Sequence, residues 1–236
     1  MRNLAGHNLA SGVAFRRAFI TFEALDADGN VVWASGRTNS VGAILKGTSD
    51  EILPTEFFYD PASRKQVWQP HYETISNDGQ VQIYEEIIAD SQGKITTSFV
   101  GLDKVLKSNR LLPKGWRTNA DLSPRYTRPH GDAEHDPEYI NNAGATGADK
   151  ITYSIPLTDR TRAIVSVRAT LNYSGDSALL FERTLYDWQR RRDSAAGLSQ
   201  PAISTLPGTP IENWRLPIAC GTRRFEDTAS QACQRW

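Results

Sequence analysis

The sequence has no excess of charge of either sign, and this argues against one large class of function. Its 236 residues contain 27 Lys and Arg and 27 Asp and Glu, so the formal net charge at pH 7 is zero. Proteins that bind nucleic acid gain affinity by releasing counterions from phosphates, which requires a basic excess or a concentrated basic patch. The densest basic run, at residues 190–192, is typical of a solvated helix end. We therefore expect no nucleic-acid partner.

Long apolar runs are also lacking, since no stretch approaches the roughly 18 residues that a membrane-spanning helix needs. We therefore expect no membrane span. The first seven residues also lack the charged start and apolar region of a secretory signal. Two interpretations stay open at this point: a cytosolic protein, or a chain that continues a segment upstream of it.

Cysteine is scarce, with Cys220 and Cys233 the two in the chain. They can close a small disulfide loop, which would suit an oxidising compartment, or they can be two free thiols. Spacing alone does not establish connectivity. Because no histidine or second cysteine pair lies nearby in the sequence, we do not expect a zinc site there.

What the sequence does contain is a series of alternating segments separated by turn signals. Residues 15–25 alternate with aromatic and β-branched side chains, which predicts a strand with one largely buried face. The turn signal at residues 26–30 and the short apolar run at 31–33 complete a predicted hairpin. The run Asp26-Ala-Asp-Gly-Asn30 has no glutamate at the twelfth position of a calcium loop, so it predicts a turn.

Two further hairpins are predicted by the same pattern. One pairs residues 81–89 with 94–100 around a turn at 90–93, and the other pairs 150–157 with 163–173. Successive hairpins without helical periodicity between them favour an all-β fold, an antiparallel β-sandwich that is Ig-like or jelly-roll-like, with long loops.

The C-terminal part has a different pattern. Residues 176–192 carry apolar side chains on roughly one stripe, which predicts one helix, and residues 194–217 have little periodicity. We therefore expect a β-sandwich domain over residues 1–173. The helix and an irregular tail, residues 174–236, are expected to pack on the same domain.

Three motifs carry a resemblance to a known family. They are Gly-His-Asn-Leu-Ala-Ser-Gly at 6–12 with Arg-Arg-Ala at 16–18, Pro-His-Tyr-Glu at 70–73 with Gln-Val-Gln-Ile-Tyr-Glu at 80–85, and Lys-Ser-Asn-Arg-Leu-Leu-Pro-Lys-Gly at 107–115. In this order they resemble the all-β domain that follows the haem-bearing part of multihaem c-type cytochromes of the cytochrome c-552/4-like family. Ala10 departs from the family's usual proline and Ser108 from its acidic residue. The resemblance covers residues 3–173.

The resemblance implies roles for three residues. His7 matches the family's histidine and is a candidate axial ligand of a neighbouring haem iron, because a neutral imidazole binds iron well. The alternative is a histidine that caps backbone groups. Arg110 is a candidate for holding a haem propionate or another carboxylate, or else it ties a loop to a strand. His71, with Tyr84 and Glu85, either builds the sheet or lines the face on which a haem domain packs.

No Cys-x-x-Cys-His run occurs in the sequence, so the chain is expected to bind no haem covalently. A haem would then come from a partner subunit or from an upstream segment. Residues 130–138 are rich in histidine and carboxylates, and they form either a divalent-ion site or, as we favour, a solvated acidic loop.

The resemblance implies a haemless module that docks on or shields the haems of a periplasmic or cell-surface electron-transfer cytochrome. The alternative is a free-standing β-sandwich that binds protein or polysaccharide, which exposed tryptophans would favour. No nucleophile elbow, Walker loop or His-Glu-x-x-His run occurs, so we predict no catalytic residues.

Overall fold

The computed structural model describes residues 1–12, 16–40, 42–116, 128–137, 139, 147–174, 215–225 and 231–232. The strands in these residues are β1 Arg17–Leu25, β2 Val31–Ser35, β3 Thr74–Ile75, β4 Ile83–Tyr84, β5 Glu86–Ala89, β6 Ile95–Thr96, β7 Lys104–Ser108, β8 Thr152–Tyr153, β9 Ser166–Ser174, β10 Arg215–Arg224 and β11 Gln231–Ala232. Short 3₁₀ helices occur at Pro54–Phe57, Gly131–Glu134 and Thr161–Ala163. The predicted all-β fold with antiparallel sheets is confirmed. The helix predicted at 176–192 lies outside the described residues.

The largest sheet has the strand order β11-β10-β9-β1-β2, and β4 also pairs with β1. β1 and β9 are antiparallel along their whole length, from Arg17 opposite Ser174 to Leu25 opposite Ser166. The strand β10 on the other side of β9 was not predicted from the sequence. Its register is shifted between Pro217 and Ala219, and such an irregularity obscures a period of two.

β1 is buried on both faces, whereas the sequence predicted one largely buried face. On one face Phe19 packs with Ile44, Leu53, Val81 and Ile83. On the other, Ala18 belongs to the cluster that contains Tyr84 and Leu111. The polar member Arg17 is only 2% exposed, and its guanidinium donates to both carboxylate oxygens of Glu56 at 2.6 and 2.8 Å. A bidentate partner of opposite charge is what allows an arginine to be buried beside an apolar strand.

The smaller sheets test the two other predicted hairpins. β5 and β6 are antiparallel around a turn in which the Asp90 amide donates to the Lys94 carbonyl, so the second hairpin is confirmed with shorter strands. β5 also pairs with β7.

The third predicted hairpin is wrong. β8 pairs in parallel with β3, and β9 pairs with β1 and β10. The 3₁₀ helix Thr161–Ala163 separates β8 from β9 in the chain. Tyr153 of β8 stacks on Phe22 of β1 with ring centroids 3.9 Å apart, so this segment packs against the large sheet.

Cys220 lies on β10 and is disulfide-bonded. The sequence contains one other cysteine, Cys233, which lies outside the described residues. Within the part of the chain that the structure describes, no helix is long and apolar enough to cross a membrane.

Two glycines with positive φ offer a matched test of the packing around β1. At Gly36 (φ +74°) an added Cβ would clash with the Ile20 carbonyl oxygen, whereas at Gly29 (φ +84°) it would meet nothing within 4 Å. Gly29→Ala is expected to lower the free energy of unfolding by about 1–2 kcal/mol, the cost of a left-handed backbone. Gly36→Ala adds overpacking against backbone and is expected to cost about 2–5 kcal/mol in total. Chemical denaturation of both variants measures the difference, and equal losses would contradict this packing.

Candidate functional site: a buried histidine network and the surface beside it

The first and third motifs are joined by hydrogen bonds. The side-chain amide of Asn3 donates to the carbonyl oxygens of Leu111 and Leu112 at 3.0 and 3.2 Å, and to that of His7 at 2.8 Å. The amide of Leu9 donates to the Leu111 carbonyl at 2.9 Å, and the Leu111 amide returns a bond to the Leu9 carbonyl. These contacts hold the loop that carries His7 against Leu111 and Leu112, in the segment that follows β7.

The second and third motifs are joined through the side chain of Asn109, which is fully buried. Its Oδ1 accepts a bond from the Glu85 amide at 3.0 Å, and its Nδ2 donates to the Ile83 carbonyl at 2.8 Å. The same Nδ2 lies 3.3 Å from Nδ1 of His71. Because both ends of this amide are held by backbone groups, its orientation is defined.

His71 is the hub of the network and is 7% exposed. Its Nδ1 faces Nε2 of Gln82 at 2.9 Å as well as Asn109. The Gln82 amide is also oriented, because its Oε1 accepts a bond from the Tyr72 backbone amide at 2.9 Å. Both side-chain amides therefore present N–H groups to Nδ1, which must carry the lone pair. Nε2 then carries the proton and donates to Oδ2 of Asp136 at 3.1 Å.

Two carboxylates lie around this histidine. Oδ1 of Asp136 accepts a bond from the Tyr139 amide at 3.2 Å. Oδ2 of Asp149 accepts a bond from the Tyr84 hydroxyl at 2.5 Å, and its Oδ1 is buried without a hydrogen-bond partner in the described chain. One potential ligand atom from each of His71, Asp136 and Asp149 lies within 4.8 Å of the others.

This grouping has the composition of a metal centre, but the hydrogen bonds of His71 do not fit one. A neutral imidazole has one lone pair, and that of His71 points to the amides of Gln82 and Asn109. Ligation through Nε2 would require the ring to lose its remaining proton or both oriented amides to reverse. The arrangement supports a hydrogen bond from Nε2 of neutral His71 to Asp136.

Burial shifts the pKa values of several groups in and beside the network. It raises the pKa of the Asp149 carboxyl, an effect that the bond from Tyr84 partly opposes. It also raises the pKa of Tyr84 and Tyr139 well above the ordinary tyrosine value. Burial lowers the pKa of Lys107, which donates to Glu85 Oε1 at 2.9 Å and to the Ile83 carbonyl at 3.0 Å. All these groups therefore favour their neutral forms more than they would in water.

The other two predicted site residues lie at the surface. His7 is exposed, and its Nδ1 lies 3.2 Å from the Asn8 carbonyl oxygen, to which it donates as the Nδ1–H tautomer. Its Nε2 has no bonding partner among the residues that the structure describes. Nη2 of Arg110 pairs with Glu86 at 2.8 Å, and Nη1 donates to the Gly12 carbonyl at 3.4 Å. Glu85 and Glu86 thus point to opposite faces, towards Lys107 and Arg110, as their adjacency on a strand predicts.

The structure brings together residues that the motifs alone did not connect. Asp136 belongs to the acidic loop at 130–138, yet it is 2% exposed and bonds His71, while His135 of the same loop is exposed. Asp149 lies outside all three motifs. The sequence offers one weak signal for it, a polar residue just before β8, and that signal does not identify its partner.

The two histidines are expected to be opposite tautomers. In long-range ¹H–¹⁵N NMR spectra at neutral pH, His71 should show the proton on Nε2 and His7 should show it mainly on Nδ1. A proton on Nδ1 of His71 would contradict the amide orientations. Nε2 would then carry a lone pair, and a metal site at His71, Asp136 and Asp149 would again be consistent with the hydrogen bonds.

The stability of the protein is expected to depend on pH through Asp149 with a defined sign. Its folded pKa is raised above the ordinary value of 3.8, so its contribution is fully present below that value and is lost as pH rises through the raised pKa. Asp149→Asn should remove this decline from denaturation curves measured over a pH series. Asp26→Asn is the contrast, because hydrogen bonds from Asn30 lower the pKa of Asp26 and its contribution is lost as pH falls. The same slope change in both variants would contradict the assignment.

Comparisons with known proteins give one structural similarity. No protein-family model matches the chain, and neither does any curated protein sequence. The structure is similar to the crystal structure of a penta-heme cytochrome c552 from Thermochromatium tepidum, with a TM-score of 0.40 and 16% sequence identity. The match covers 94% of this chain and 34% of that one, so the chain spans about a third of that protein's length.

Proposed function

We propose that this chain is a haemless β module of a multihaem c-type cytochrome. It docks on a haem-bearing segment or subunit, shields its haems, and thereby supports electron transfer in the periplasm or at the cell surface. The chain itself holds no haem covalently. Its contribution is to contact the haem-bearing segment or subunit, to orient it and to cover its haems. The proposal rests on the sequence resemblance and on the arrangement of the residues that carry it.

The observation that carries the proposal is the convergence of the three motifs. They are separated by tens of residues in the sequence, yet Asn3 bonds to Leu111 and Leu112, and Asn109 bonds to Glu85 and faces His71. The residues that carry the resemblance are therefore those that build one hydrogen-bonded unit. Such a unit supports a shared structural role better than scattered matches would.

The geometry of His7 fits the role of an axial ligand. A metal-bound histidine usually donates its second ring N–H to a carbonyl or carboxylate, which fixes the tautomer and the ring. The Nδ1 of His7 faces the Asn8 carbonyl in this way, and Nε2 is left with a lone pair on an exposed side chain. A haem bound there would supply the redox chemistry, and His7 would hold its iron through Nε2. In this proposal Arg110, which bonds to the Gly12 carbonyl of the first motif, would hold a propionate, and His71 holds the motifs in place.

The alternative of a polysaccharide-binding module receives no support from the described tryptophans. Trp33 and Trp116 are buried at 8% and 7% exposure, and Trp68 is half-buried. Sugar-binding surfaces usually present aromatic rings to solvent. The other three tryptophans of the sequence lie outside the described residues.

The proposal is tested by isolating the tagged chain from its native cells and recording the haem absorption spectrum of the complex. We expect co-purified protein with covalent haem, and a change from a six-coordinate to a five-coordinate iron spectrum with His7→Ala. His135→Ala, which removes another exposed histidine, should leave the spectrum unchanged. A complex without haem would contradict the docking role. A spectrum that is the same with and without His7→Ala would contradict only the role of His7 as an iron ligand.

A further inference from the structure

Two arginine side chains converge on one glycine at the surface of the first motif. Arg16 is exposed, and its guanidinium covers Gly12: a Cβ added to Gly12 would lie 2.6 Å from Arg16 Nη1 and 3.3 Å from Cζ. A side chain at Gly12 would therefore require the Arg16 guanidinium to move. Gly12 also has a φ of +94°, a conformation that favours glycine.

Arg110 reaches the same residue from the third motif. Its Nη1 donates to the Gly12 carbonyl oxygen at 3.4 Å, a long hydrogen bond, and its side chain is 14% exposed. Its backbone is held separately, because its carbonyl oxygen accepts a bond from the Tyr139 hydroxyl at 2.5 Å. Nη2 of its guanidinium pairs with Glu86 and Nε is buried, so Nη1, with its long bond to Gly12, is the weakly engaged nitrogen.

The charges at this corner do not balance. Glu86 pairs with Arg110 at 2.8 Å, but no described carboxylate forms an ion pair with Arg16. Two guanidinium groups that contact one residue repel each other, and only one of them is compensated. The corner therefore carries a net charge of about plus one from these three side chains, which favours binding of a single negative charge.

We propose that Arg16 and Arg110 form a carboxylate-binding site across Gly12. The two oxygens of a carboxylate can accept hydrogen bonds from Nη1 of Arg110 and from the exposed guanidinium of Arg16, and its single charge matches the uncompensated charge of the corner. The site deepens the proposed function, on which the propionate role of Arg110 rests, by adding Arg16 and by extending the ligand class to carboxylates in general. A partner would be recognised here by an acidic side chain or another carboxylate-bearing group.

The site is tested on the full chain alone by following the arginine Nε–H signals in NMR spectra during titration with acetate at constant ionic strength. We expect the signals of Arg16 and Arg110 to shift together, and Arg16→Gln to weaken binding at least tenfold. Arg162→Gln is the matched control, since Arg162 is also exposed, and it should bind acetate as the parent chain does. Absence of the paired shift, or unchanged binding by Arg16→Gln, would overturn the site.

Two further measurements distinguish binding to a defined arrangement of the two arginines from nonspecific attraction by positive charge. Gly12→Ala displaces the Arg16 guanidinium without changing the net charge. Arg110→Lys keeps the charge but replaces the planar guanidinium with an ammonium group. Both are expected to weaken acetate binding, with thermal unfolding used to verify that each variant is folded. Undiminished binding by folded Gly12→Ala would overturn the proposal, as would tighter binding of inorganic phosphate than of acetate. Because no cytochrome is present, failure here leaves the docking role to its own test.

Discussion

The lone pair on Nδ1 of His71 organises the buried hydrogen bonds of the site. It accepts from two side-chain amides, and each amide is anchored to the backbone of a different segment, Gln82 to Tyr72 and Asn109 to Glu85. A buried amide or imidazole left without a partner costs about 1–3 kcal/mol, so these bonds hold as a group. These hydrogen bonds lie beside the ends of strands β4, β5 and β7.

The network divides the motif residues between two tasks. His71, Asn109 and Tyr84 face inward and bond to other parts of the chain, so they determine how the loops are placed. His7 and Arg110 lie at the rim of the same unit, where their ring or guanidinium edges can meet another molecule. Rigid interior hydrogen bonds that hold a few exposed groups are a general way to build a recognition surface.

The sequence predicted the existence of strands better than their partners. Alternation predicted β1 and β9 well, because the side-chain period reports burial along one strand, and a short apolar run after a turn predicted β2. It did not predict that β8 would pair with β3, since partner choice depends on packing between residues far apart, such as Tyr153 on Phe22. In the site, the motifs indicated His71 and Tyr84. They did not indicate Asp136 and Asp149 as neighbours, because loop carboxylates carry no periodic signal.

Native-state hydrogen exchange can show whether the three motifs, with the buried network around His71, form one cooperative unit. In His71→Ala, we expect the amides of Tyr72, Glu85 and Leu111 to lose protection by similar factors, although Leu111 does not contact His71 through any described hydrogen bond. The Asp90 amide, in the turn after β5, serves as the internal reference and should change least. Loss of protection confined to Tyr72 and Glu85, with Leu111 unchanged, would mean that the motifs do not form a single unit.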